Sequence, residues 1–213
     1  LDADLPTILA EFPDDPIVQA AKERFEGLRI VTEPVVPTLV SFILSAQMRI
    51  DRIHTLVTAL RETYGDPIDW RGTTVWGFPG PEELAAATEA DLRDLGLGYR
   101  APYVNATAEM LVEGSVSLES VASMPYESAR EALTEFVGVG PKVADCVLLF
   151  GMDFIEPVPL DTWIRTAIEE YFPEAERGSY TDTSRAIRDR LGPRPGYAQT
   201  YVFTHLRTGG GVE

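Results

Sequence analysis

Apolar positions return every three or four residues almost from end to end of this chain, which is the period of a helix that buries one face. Ile17, Ala20, Ala21 and Phe25 share a face of a helix that stops at Gly27. Leu39 to Ser45 is an apolar stretch, and Ile50, Ile53, Leu56, Val57 and Leu60 form an amphipathic helix closing near Gly65. Pro81-Glu82-Glu83-Leu84 opens another, with proline in the first turn and acids at the positive end of the dipole. Tyr103, Ala106, Thr107, Met110 and Leu111 make the next face, ending before Gly114. Tyr126 to Phe136 reads as helix, a glycine turn follows, and Lys142 to Gly151 reads as a buried helix. Asp161 is placed to cap Thr162 to Tyr171, whose Trp163, Ile164, Ala167, Ile168 and Tyr171 point inward. Ser184 to Leu191 and Tyr197 to Leu206 complete the set. No segment alternates with period two, so the pattern predicts an all-α fold, a compact bundle of short helices in two lobes. The tail from Thr208 through the glycines to Gly211 is expected to fray.

The 213 residues suffice to bury a core, and 45% hydrophobic content is that of a globular protein. Charge is the unusual property. The chain holds 34 acidic residues and a net charge of −16, a balance that repels nucleic acid and anionic membranes. Concentrated salt would remove the conflict, since the Debye length falls to roughly 3 Å at 1 M, and the composition predicts a halophilic protein. An acidic protein of no special habitat is the alternative. With one cysteine, Cys146, there is no disulfide framework, thiolate zinc site or four-cysteine iron–sulfur cluster. No signal peptide and no apolar run near the ~20 residues of a membrane span is present, so the expected setting is cytoplasmic.

Only two lysines occur. Lys22 lies in an ordinary polar helix, and Lys142 follows the glycine turn Gly138-Val139-Gly140. Where lysine is avoided elsewhere, one at such a turn points to chemistry, because an amine is a nucleophile and a guanidinium is not. The glycines bring backbone close to a ligand, and the free N–H groups of the next helix suit a phosphate without needing side-chain charge. That would let an acidic protein hold a nucleic-acid backbone without reading sequence. A plain helix–turn–helix corner is the other reading of Gly-x-Gly.

The run Phe136-Val137-Gly138-Val139-Gly140-Pro141-Lys142-Val143-Ala144-Asp145-Cys146, followed by Val158-Pro159-Leu160-Asp161, resembles the helix-hairpin-helix DNA glycosylase superfamily, most closely its 8-oxoguanine branch. Ser41 to Gln47, Leu97 to Val104 and Gly196 to Phe203 fall in the same order as the family's blocks. The resemblance implies a single glycosylase domain over 1–207 with its hairpin at about 133–151, a cleft between two helical lobes, and a flexible tail at 208–213. It implies a bifunctional glycosylase and abasic-site lyase, a monomer acting on double-stranded DNA with a damaged base, 8-oxoguanine opposite cytosine.

In that scheme Lys142 attacks the sugar of a flipped-out nucleotide and forms a Schiff base, while Asp161 stabilises the positive charge or takes a proton. A helix N-cap is the plainer role of Asp161, and both hold together. Gln199 corresponds to the reader of the flipped purine's edge, and Phe203 and Cys146 to the two faces that enclose it. Core packing for Phe203 and Cys146, or a solvated face for Gln199, are the alternatives. Gln47 falls where an amide enters the gap left by the base, and Arg52 and Arg100 where the orphaned partner is contacted; ordinary ion pairs would also explain the arginines. Gly138 and Gly140 would receive phosphate. Backbone carbonyls of Thr134, Phe136 and Val139 would hold a monovalent cation, the one cofactor that the family suggests.

The likeness breaks at three places. Eukaryotic-type members carry an Asn-rich run at Gln47-Met48-Arg49, a histidine at Trp163, and an N-terminal β-rich domain ahead of the first residue here. The expectation is therefore a compact or shortened form. Two functions compete with the bifunctional enzyme: a monofunctional alkylation-type glycosylase relying on the aspartate, and a non-catalytic module that uses the hairpin only for phosphate.

Overall fold

The computed structural model describes residues 4–211, and they form thirteen α-helices and one small β-hairpin. The chain divides into two compact units, one of Leu1–Thr32 with Leu148–Glu213, the other of Glu33–Val147.

The first unit is built around the C-terminal helix. It contains α1 (Leu5–Ala10), α2 (Pro16–Arg24), the end of α10 (Pro141–Gly151), α11 (Thr162–Tyr171), α12 (Tyr180–Leu191) and α13 (Pro195–Arg207). Helix α13 packs on α2, α11 and α12. Its Ala198, Tyr201 and Val202 meet Ile17, Val18 and Ala21 of α2 and Ile164, Ala167 and Ile168 of α11 in one buried cluster. Buried aliphatic and aromatic side chains contribute about 1.5–3 kcal/mol each, so this cluster is the unit's main source of stability. Tyr201 is pinned by its hydroxyl, which donates to the Leu28 carbonyl at 2.8 Å, and by an edge-on contact with Phe12. The lone lysine of α2 is also accounted for: Lys22 Nζ donates to Leu9 O at 2.8 Å and so satisfies a carbonyl at the end of α1.

The second unit contains α3 (Val35–Leu44), α4 (Ile50–Tyr64), β1 (Pro67–Trp70), β2 (Thr73–Trp76), α5 (Pro81–Ala86), α6 (Glu89–Asp94), α7 (Ala101–Glu113), α8 (Leu118–Ala122), α9 (Tyr126–Leu133) and the start of α10. Helix α7 is its hub, packing on α3, α5 and α6. Asn105 on α7 donates to the carbonyls of Ala85 and Ala87 at 3.2 and 3.0 Å, which closes the C-terminal end of α5.

The structure departs from the sequence reading in three ways. The hairpin β1–β2 was not anticipated; all eight of its strand residues are exposed, so no core face imposed an alternating pattern. Its two-residue turn has Arg71 and Gly72 both at positive φ, the conformation that two-residue hairpin loops favour. Helices α1, α6 and α8 are too short for periodicity to show; a Thr88–Asp91 capping box opens α6. Helix α9 stops at Leu133, and Thr134 to Phe136 continue as successive turns. In the expected tail, Thr208 Oγ1 bonds Thr204 O at 2.8 Å, Gly210 N bonds His205 O at 2.9 Å, and Gly211 O lies 3.2 Å from His205 Nε2. The rest of the expected flexible tail, 212–213, lies outside the described residues.

Candidate active site

The loop between α9 and α10 is shaped by Gly138. Its φ of +83° lies in the left-handed region, and a Cβ there would stand 2.7 Å from Tyr103 Cβ and 2.8 Å from Tyr103 Cγ. The loop is thereby laid directly on α7, and Thr107 Oγ1 ties it down by donating to Val137 O at 3.0 Å. Gly140 has open space around it, and its carbonyl accepts the Ala144 N–H at 3.0 Å, the first bond of α10. Val137, Gly138 and Gly140 are exposed, whereas Phe136 and Val139 are buried beneath them.

Lys142 stands half-buried in the first turn of α10. Its Nζ lies 3.5 Å from Ser45 Oγ and 5.3 Å from the centre of the Phe42 ring. The Ser45 hydroxyl donates to Phe42 O at 2.7 Å, so its oxygen faces the lysine as an acceptor. One turn further on, Cys146 is buried. Beside it lies a polar group that sequence reasoning missed. Tyr126 donates to Asp145 Oδ1 at 2.7 Å, Arg130 Nη1 donates to the Tyr126 oxygen at 3.1 Å, and Arg130 Nη2 pairs with Glu127 at 2.5 Å. Burial by itself would weaken the Arg130 charge; the neighbouring Tyr126, Asp145 and Glu127 outweigh it and push the guanidinium above its ordinary value. This cluster locks α9 to α10 beneath the loop. An acid inside the apolar run Val143 to Phe150 was its only signal.

The loop from Ser45 to Arg49 carries Gln47, exposed and at a φ of +51°. The carbonyl just before it, Ala46 O, accepts from Arg100 Nη2 and, at 3.4 Å, from the Tyr99 hydroxyl. The Arg100 guanidinium sits 4.2 Å over the Tyr99 ring and is buried, with Nε unpartnered among the described residues. In this state Arg100 holds the Gln47 loop rather than presenting itself at the surface. The exposed group is Tyr99, which lies within the Leu97–Val104 stretch but was not singled out from sequence. Arg52 is exposed, with Nη2 2.5 Å from where a Cβ on Gly96 would stand, so it covers the end of α6.

The remaining candidates belong to the other unit. Asp161 caps α11 as its position suggested, Oδ1 accepting from Ile164 N at 2.9 Å. Trp163, expected to face inward, is instead 39% exposed. Gln199 is 4% exposed, and Phe203, one turn along α13, is half-buried with Arg207 5.9 Å over its ring. Among the described residues no group of three or more histidine, cysteine or carboxylate side chains could hold a metal ion, and no helix is long and apolar enough to cross a membrane.

A family model described as HhH-GPD superfamily base excision DNA repair protein matches residues 40–193. A probable N-glycosylase/DNA lyase of Methanothermobacter thermautotrophicus is 31% identical over 221 residues, covering 93% of this chain and 70% of that protein. The N-glycosylase/DNA lyase of Saccharomyces cerevisiae is 40% identical over 164 residues, covering 71% of this chain and 44% of the yeast protein. Among solved structures, the Clostridium acetobutylicum 8-oxoguanine glycosylase/lyase, in complex with DNA containing cytosine opposite 8-oxoguanine, superposes with a TM-score of 0.90 at 32% identity. That match covers 97% of this chain and 71% of the other.

Proposed function

The chain belongs to the HhH-GPD superfamily of base excision DNA repair proteins, and we propose that it is a bifunctional DNA glycosylase and abasic-site lyase that removes oxidised purines, 8-oxoguanine opposite cytosine foremost. The observation that carries this is Lys142. Its amine stands at the start of α10, immediately after a glycine loop whose exposed backbone suits a phosphate, and Ser45 and Phe42 hold it in place. A DNA-binding module without chemistry needs no such amine.

The Lys142 nitrogen attacks C1′ of the flipped nucleotide, and the glycosidic bond breaks with the electron pair leaving on the base, which takes up a proton. The sugar ring opens to an imine on Lys142. Loss of a C2′ proton then expels the 3′ phosphate and cuts the strand, and water returns the free amine. Asp161, oriented by its bond to the Ile164 N–H, stabilises the positive charge that develops on the sugar as the base departs. Gln199, Phe203 and Cys146 enclose the base. Gln47 enters the vacated gap, and Arg52 and Arg100 meet the orphaned partner, Arg100 after giving up the Ala46 carbonyl. The exposed backbone at Gly138 and Gly140 receives phosphate. The carbonyls of Thr134, Phe136 and Val139 lie on the same loop and would hold a monovalent cation, whose charge would favour the approach of phosphate. The protein acts as a monomer, in the cytoplasm with the chromosome, and its acid-rich surface suits concentrated salt.

Borohydride reduction tests this directly. Duplex DNA with one 8-oxoguanine opposite cytosine should yield a covalent adduct with the wild-type protein and none with Lys142→Ala. Base release without an adduct would indicate a monofunctional enzyme centred on Asp161; binding with neither would indicate the non-catalytic module.

A further inference from the structure

Gln199 does not point a free amide from α13. Its Nε2 donates to Thr200 Oγ1 at 2.8 Å and to Gly196 O at 3.2 Å. Thr200 Oγ1 in turn donates to Gly196 O at 2.8 Å. A hydroxyl has one proton; with it committed to the Gly196 carbonyl, the Thr200 oxygen meets Gln199 as an acceptor. The amide nitrogen is thus held against its own helix. The amide oxygen accepts no hydrogen bond from the described residues. The anchor itself is fixed: Gly196 N donates to Ile155 O at 2.8 Å, and a Cβ on Gly196 would stand 2.6 Å from Leu149 Cδ1 and 2.7 Å from Ile155 O.

We propose that Thr200 is a specificity-determining positioning residue, whose hydroxyl locks the Gln199 amide so that only its oxygen faces the base. The proposal rests on the reading of Gln199 as part of the base pocket. A guanine-derived base presents N–H donors at N1 and N2 on its Watson–Crick edge, and a fixed acceptor satisfies them. An adenine-derived base has a bare N1 there, which sets acceptor against acceptor. Rotating the amide by half a turn would offer N–H to that N1. Thr200 and Gly196 together oppose it, because the amide oxygen would then face the Gly196 carbonyl, and the Thr200 hydroxyl could donate to that oxygen only by withdrawing its proton from the same carbonyl. The side chain that discriminates is therefore held by a neighbour that never touches the base.

The test is single-turnover base release from duplexes carrying 8-oxoguanine or 8-oxoadenine opposite cytosine, with the wild-type protein, Thr200→Val, Thr200→Ala, Thr200→Ser and Gln199→Leu. The wild type should prefer the guanine-derived base. Thr200→Val and Thr200→Ala should shrink the preference about tenfold, the scale of one misplaced polar contact, while Thr200→Ser keeps it. A purely structural role for Thr200 would slow both substrates together and leave their ratio alone, and that result overturns the proposal. If Gln199→Leu moves the ratio while both Thr200 variants leave it within about twofold of wild type, the pocket reading stands and the lock is wrong. Should Gln199→Leu also leave the ratio unchanged, the pocket assignment fails and the lock with it.

Discussion

The Ser45 hydroxyl, its proton already given to the Phe42 carbonyl, holds its oxygen 3.5 Å from the Lys142 nitrogen. Ser45 is the C-cap of α3 and Lys142 lies in the first turn of α10, so two distant segments of chain meet on the amine. The contact is long for a hydrogen bond, and together with the Phe42 ring 5.3 Å away it fixes where the nitrogen stands. Ser45→Ala should therefore slow adduct formation by roughly three- to tenfold, consistent with the modest net worth of one such bond. The melting temperature should scarcely move. Quenched-flow trapping with borohydride on abasic-site DNA would show it; an unchanged trapping rate removes Ser45 from the mechanism.

Most of the helical framework was legible because long helices write their buried face into the sequence. Helices α4, α11 and α13 are examples, and the Asp161 cap was readable from type and position alone. What escaped obeyed other physics. The hairpin β1–β2 has no buried face, so nothing in its hydrophobic order distinguished it from a loop; the turn residues Arg71-Gly72 were its sole mark. Among the candidate residues, type and position offered Lys142 and Asp161, and the family resemblance offered Gln199. Three-dimensional contacts alone gave Ser45 against Lys142, Thr200 against Gln199, and Arg100 on the Ala46 carbonyl, since each joins residues by hydroxyl or backbone groups that leave no periodic trace.

Gly138 combines two demands, and only glycine meets both. Gly138→Ala forces a Cβ into left-handed backbone and to within 2.7 Å of Tyr103 Cβ. Left-handed strain of about 1–2 kcal/mol and overpacking of about 1–3 kcal/mol together predict a loss of roughly 2–5 kcal/mol. Truncating the ring should not rescue the variant, because Tyr103→Ala keeps the Cβ that clashes. Urea unfolding of the single and double variants decides it, and a double variant as stable as Tyr103→Ala alone would refute the clash.

Tyr126 donates to a fully buried carboxylate, Asp145, in the helix that carries Lys142 and Cys146. Tyr126→Phe keeps the ring and deletes that donor, and hydrogen bonds to charged groups contribute about 1.5–3 kcal/mol. Arg130 also loses its oxygen partner at 3.1 Å. We expect a loss of about 2 kcal/mol in urea unfolding, with base release little changed at temperatures where the variant stays folded. Equal stability of variant and wild type would show that the hydroxyl contributes nothing net.

Glu176 offers a pH-dependent counterpart in the other unit. The Gly178 N–H, donating at 2.7 Å, and the Thr183 hydroxyl, at 3.1 Å, hold its carboxyl below the ordinary value of 4.5. Because the folded state favours the carboxylate, the stabilisation is fully present above pH 4.5 and is lost as the pH falls through the lower, folded value. Glu176→Gln removes the charge at every pH. Wild type should therefore melt above the variant at pH 7, and the gap should close as the pH drops below 4.5, where protonated Glu176 approaches the behaviour of glutamine. Thermal melts of both proteins in matched salt measure the gap directly; a gap that stays constant down to pH 3 would mean that the two hydrogen bonds do not favour the charged form.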